Sequence, residues 1–70
     1  MTLFDFDGRK GKVTAVGGGG DTHRRLVDMG LIDAEFGVRA RKKAGILVDY
    51  GDFCAVTGED TARLIYVVEG

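Results

Sequence analysis

Apolar and polar residues alternate cleanly in one part of the chain, where Phe36, Val38 and Ala40 are separated by Gly37, Arg39 and Arg41. A two-residue period sets the apolar residues on one face of a strand and the arginines on the other. Four further stretches read as short strands from their β-branched and aliphatic runs: Lys10 to Val16, Ile46 to Tyr50, Phe53 to Val56, and Leu64 to Val68. Lys43-Ala44-Gly45 and Gly51-Asp52 supply the turns between the second, third and fourth of the five.

The period changes only between the first two strands. Thr22 to Met29 reads as a helix of roughly two turns, with Asp21 as its N-cap and Gly30 as the left-handed residue that ends it. This placement makes Leu26 and Leu31 the apolar pair that closes a Schellman motif, so both are expected to face the interior. Arg24 and Arg25 stand near the positive end of the helix dipole and Asp28 near the negative end, the opposite of what the dipole favours. An Arg24 to Asp28 pair would recover only about 0.2 to 0.5 kcal/mol. Local stability therefore does not account for the two arginines. Thr57-Gly58-Glu59-Asp60 has capping-box spacing and predicts a helical turn over Glu59 to Ala62, before the last strand.

Five short strands, one short helix and one helical turn in 70 residues predict a single mainly β domain spanning 1–70, a strongly bent antiparallel barrel. That length leaves no room for a doubled βαβ nucleotide-binding unit or an α/β barrel. The composition, 44% hydrophobic and 30% charged, is that of a folded chain. One cysteine permits no internal disulfide and suits a reducing cytosol. The acidic start, Asp5 and Asp7 among the first residues, lacks the apolar core of a secretory leader, and a cytoplasmic location is expected.

Net charge is −1, but its distribution is uneven. From Arg9 to Lys43 there are nine bases and four acids; beyond Lys43 there is one base against five acids. Opposite-signed segments can orient a docking partner.

The candidate chemistry is sparse. Gly17 to Gly20 precede a helix, yet Asp21-Thr22 follows where a phosphate loop needs Lys and a hydroxyl residue, so no nucleotide site is expected. His23 and Cys54 are the only soft metal donors, too few for a site that takes three or four ligands, and a lone strand cysteine reads as a small buried hydrophobe. One histidine and one cysteine with nothing joining them assemble no catalytic group, and no enzyme is expected.

Three segments taken together resemble the FeoA family: Gly8-x-x-Gly11-Lys12-Val13; Arg24-Arg25-Leu26-x-x-Met29-Gly30-Leu31; and Gly51-x-x-x-Ala55-Val56, followed by Ala62 and Ile65-x-Val67. The similarity runs from Leu3 to Val68, and the arginine-leucine to methionine-glycine-leucine stretch is its most specific part. The chain departs from the family in its turns, at Ala34, at Lys43-Ala44-Gly45, which lacks the usual prolines, and at Gly58. The resemblance implies an SH3-like barrel and a cytoplasmic accessory role in ferrous-iron uptake. The partner it implies is a FeoB-type membrane transporter with a cytosolic GTP-binding domain. It requires no cofactor and admits ferrous iron or another transition metal as a ligand. His23, Arg24, Arg25, Met29, Gly30 and Leu31 are the expected partner-binding residues.

Two alternatives stand beside that reading. Arg39, Arg41, Lys42 and Lys43 along one strand and its turn suggest a nucleic-acid-binding module, against which stand the slight net acidity and the lack of an aromatic interleaved on that strand's exposed face for stacking. Related SH3-like modules also close the DtxR-type metal-dependent repressors, a class expected to carry a helix-turn-helix domain ahead of the module.

Overall fold

The alternating stretch lies at the centre of one antiparallel sheet. In the computed structural model, which describes residues 1–70, the elements run β1 (Lys10–Val16), α1 (Gly20–Asp28), β2 (Glu35–Lys42), β3 (Gly45–Asp49), β4 (Cys54–Thr57), α2 (Glu59–Ala62) and β5 (Ile65–Glu69). The strands are ordered β4-β3-β2-β1-β5, each antiparallel to its neighbour. Register shifts between Val13 and Ala15, and between Val38 and Ala40, bend the sheet. An extra residue on one side of a pair increases local twist, which rolls the sheet toward a barrel. This is an SH3-like fold, mainly β as expected.

The roll brings the two end strands around the interior without pairing them; α2 connects them, with Ala62 fully buried. The free side of β5 is covered by the chain's own start. Thr2 bridges to Tyr66, the Leu3 amide donates to the Ile65 carbonyl at 2.7 Å, and the Val67 amide donates to the Met1 carbonyl at 2.8 Å. Arg63 lies over the Phe4 ring at 4.3 Å and ties this segment to the end of α2.

The core comprises Leu3, Phe6, Val13, Val16, Leu26, Leu31, Phe36, Ile46, Val48, Tyr50, Ala62, Ile65 and Val67. Phe6 meets Phe36 edge to face, with ring centroids 5.3 Å apart. Gly11, paired with Phe36 across β1 and β2, leaves the space in which that ring sits. A Cβ on Gly11 would lie 2.6 Å from the Val68 carbonyl oxygen and 2.8 Å from the Phe36 ring.

Two expectations about this framework need correction. Thr57 does not cap α2: Gly58 is the N-cap residue and no side chain caps the helix. The Thr57 hydroxyl instead shares a buried 2.6 Å hydrogen bond with the Tyr50 hydroxyl, because Thr57 points inward from β4. Cys54 is exposed rather than buried. Its position on β4 sets its side chain on the outer face, alternating with the inward residues Phe53 and Ala55.

Gly11→Ala is expected to cost about 1 to 3 kcal/mol in a denaturant melt, from overpacking against backbone and ring. Gly37→Ala is the control: its Cβ would meet only the Arg9 carbonyl oxygen, at 3.7 Å. It is expected to be neutral or to stabilise by under about 1 kcal/mol, through a less flexible unfolded chain.

Candidate partner-docking surface

The glycine run acts as the hinge by which β1 turns into α1. The Gly17 amide donates to the Leu64 carbonyl at 2.6 Å, Gly18 has φ 77°, and Gly19 is the N-cap residue. The helix therefore starts two residues earlier than predicted. Asp21 sits within its first turn rather than at its cap, where its carboxylate still favours the positive helix end, and the earlier start moves Arg24 to mid-helix and Arg25 into the last turn, which corrects the expectation that both oppose the dipole. Around Gly19 and Gly20 an added Cβ would meet nothing within 4 Å, so the loop is open to solvent.

The C-terminal end forms as the sequence predicts. Gly30 has φ 76°, its amide donates to the Val27 carbonyl at 2.9 Å, and the Leu31 amide donates to the Leu26 carbonyl at 3.3 Å. These are the two hydrogen bonds of a Schellman motif, and they direct Leu26 and Leu31 inward together. Leu31 is only 2% exposed, so its expected place among partner-contacting residues is corrected: it fixes the helix end from within.

What α1 shows to solvent is mixed. Leu26 is its only buried residue. Arg24 and Arg25 are exposed, and neither takes part in an ion pair; the Arg24 to Asp28 pair does not form. Val27 is exposed, and beyond the helix Met29 (50% exposed) and Ile32 add apolar surface. His23 is half-buried, and its Nδ1 is enclosed without a hydrogen-bond partner. The surface thus presents two uncommitted guanidinium groups beside exposed aliphatic and thioether carbon, a combination common at the centres of protein interfaces.

The metal candidates do not come together. His23 is on α1 and Cys54 on β4, and nowhere do three or more His, Cys, Asp or Glu side chains gather in a way that could hold a metal ion. The donor set does not fit a transition metal within one chain.

The basic stretch is partly consumed by the fold. The Arg39 guanidinium pairs with the Asp49 carboxylate at 2.8 Å, and Arg41 donates to the Phe6 carbonyl oxygen. Through the hydrogen bond from Arg39, reinforced by the Gly51 amide, the Asp49 carboxyl is held below the usual carboxylate range. Only Lys42 and Lys43 of the four bases remain without such a partner. This arrangement weakens the case for nucleic acid, which needs free bases along a groove.

A five-stranded SH3-like domain with this helix after its first strand is the fold of FeoA proteins. The FeoA protein of Chlorobium tepidum superposes with a TM-score of 0.80 at 28% identity, over 96% of this chain and 68% of its own. Iron(II) transport protein A of Clostridium thermocellum gives 0.81 at 22% identity, over 96% of this chain and 44% of its own. The metal-dependent transcriptional regulator MtsR gives 0.85 at 20% identity, over 99% of this chain; the chain spans 36% of the length of that regulator. No family model matches the sequence, and no curated protein matches it. No helix is long and apolar enough to cross a membrane.

Burial holds the Tyr50 phenol protonated above its ordinary value of 10.0. Unfolding above that pH releases a proton that the folded protein retains, so stability is full below about pH 10 and falls as the pH rises beyond it. Tyr50→Phe is expected to remove this alkaline slope. It also leaves the Thr57 hydroxyl without its partner, at a cost of about 1 to 3 kcal/mol. Urea melts of both proteins at pH 8 and pH 11 check both effects.

Proposed function

We propose that this chain is a cytoplasmic accessory module of ferrous-iron transport. It acts by contact with the cytosolic GTP-binding part of a FeoB-type membrane transporter, and it performs no catalysis and holds no resident cofactor. The observation that carries this reading is the α1 surface, where Arg24 and Arg25 stand unpaired beside exposed Val27 and Met29 on a fold shared with FeoA proteins. Arg25, in the last turn, suits the helix dipole, Arg24 at mid-helix gains little from it, and neither pairs with an acid. Exposed and unpaired, the two guanidinium groups are open to an acidic surface on the partner. His23 and Gly30 belong to this surface, the first as a half-buried residue next to the arginines in sequence and the second as the left-handed residue that follows the C-cap Met29. Ferrous iron is the transporter's cargo in this account, consistent with the scattered His and Cys donors.

A second reading, a regulatory module of a metal-dependent repressor, is favoured by the overlay on MtsR at a TM-score of 0.85. At 20% identity that likeness is one of fold. The two readings part on partner: one needs a GTP-binding domain and the other a helix-turn-helix protein.

Replacing Arg24 and Arg25 together by Ala is expected to change stability by less than about 0.5 kcal/mol, since both are exposed. The same change is expected to weaken binding to the transporter's GTP-binding domain at least about tenfold, read by calorimetric titration. Unchanged affinity in the folded variant counts against the docking role of α1.

A further inference from the structure

Four of the five strands are either interior to the sheet or covered; β4 is not. It pairs only with β3, in an unbroken register from Asp49 opposite Cys54 to Ile46 opposite Thr57. The Tyr50 amide donates to the Phe53 carbonyl at 2.8 Å, which sets the alternation of the ladder. Phe53, Ala55 and Thr57 turn their backbone groups toward β3, and Cys54 and Val56 turn theirs away from it. No turn, loop or cap hydrogen bond engages Cys54 or Val56. The edge therefore offers two amide donors and two carbonyl acceptors in line.

Protein edges of this kind are usually blunted by a charge, a proline or a bulge. Here Cys54, Ala55, Val56 and Thr57 include none of these, and Val56 is 57% exposed. Beside the edge runs a mostly apolar groove between β4, α1 and α2, lined by Leu26, Met29, Leu31, Ala55, Thr61 and Ile65. Its volume of about 140 Å³ is close to that of a cavity known to hold one benzene ring, about 150 Å³. One apolar side chain from an added strand fits it.

We propose that β4 accepts an extended peptide segment as a sixth strand, with an apolar residue in the groove and Lys or Arg residues on both flanks. The charge preference follows from the surrounding chain. From Gly51 to Arg63 there are three acids, Asp52 on one side of β4 and Glu59 and Asp60 on the other, against one base, Arg63, which pairs with Glu59 at 3.9 Å and leaves Asp52 and Asp60 without a basic partner. Acids at both ends favour basic flanks whichever way the segment runs. A second copy of this chain is a poor occupant by the same argument. Two-fold pairing centred on Ala55, which sets Cys54 of one copy opposite Val56 of the other, brings Asp52 of each copy beside Gly58 and Glu59 of its partner, so acidic ends meet acidic ends. The groove shares Met29 with the α1 surface but neither of its arginines, and the proposal does not depend on the function proposed above.

The test uses the whole chain and a synthetic peptide of alternating valine and threonine between terminal lysines. Amide exchange followed by NMR is expected to slow at least about tenfold at Cys54 and Val56 on saturation with peptide. N-methylating one alternate set of peptide amides is expected to weaken binding at least about tenfold, and methylating the other set to leave it nearly unchanged. The Arg24→Ala, Arg25→Ala protein is expected to bind the peptide as the parent does. Val56→Pro removes one outward donor without touching the β3 ladder and is expected to abolish protection at Cys54; the methylated peptides decide the matter if that variant does not fold. The proposal is overturned by absence of protection, by equal binding of both methylated peptides, or by equal binding of a glutamate-flanked peptide. Protection of the same amides that rises with protein concentration alone, marking pairing between copies, also overturns it.

Discussion

The ring of Phe36 can approach β1 only because Gly11 has no side chain, and much of the architecture follows from that contact. With the ring seated there, Phe6 approaches it edge-on and brings the first residues of the chain along β5. The pairing of Gly11 with Phe36 also fixes the β1 to β2 register. Beyond Lys12 the strand runs on beside β5 to Val16, opposite Ile65, and the four glycines then turn it into α1. A small sheet closed by two phenylalanines and a bare strand position thus holds a helix that contributes only Leu26 to the interior.

That economy has a functional side. Because α1 is anchored by one leucine and a Schellman turn, the rest of its surface is free of structural duty. Two guanidinium groups without ion-pair partners occupy it, whereas Arg39 and Arg41 elsewhere are engaged by Asp49 and by the Phe6 carbonyl. The contrast separates bases that serve the fold from bases left for a partner. It also argues against reading the basic second strand as a nucleic-acid track.

Much of the fold could be read from the sequence because the signals were local. The alternation around Phe36 to Arg41, the turns at Lys43-Ala44 and Gly51-Asp52, and the Leu26, Gly30, Leu31 spacing each specify their structure without help from distant residues. The misreadings arise where tertiary contacts outcompete local ones. Thr57 has capping-box spacing, but a buried Tyr50 hydroxyl takes its side chain. Cys54 looks like a core residue by composition, yet strand alternation turns it outward. Leu31 carries the most specific family-like motif and is nevertheless interior. The N-terminal contribution to the core has little local signal beyond the three-residue spacing of Leu3 and Phe6. The open edge of β4 had no local signal, since it depends on which strands end the sheet.

The central claim is that α1 and its flanking turn form the surface by which this domain meets a GTP-binding partner. The most direct measurement is an amide-resolved NMR titration of the chain with the cytosolic GTP-binding domain of a FeoB-type transporter. The account predicts saturable shifts concentrated at His23, Arg24, Arg25, Met29 and Gly30, with the amides of β1 and β2 unmoved. Saturable binding whose shifts fall elsewhere, or no binding at all, would contradict it.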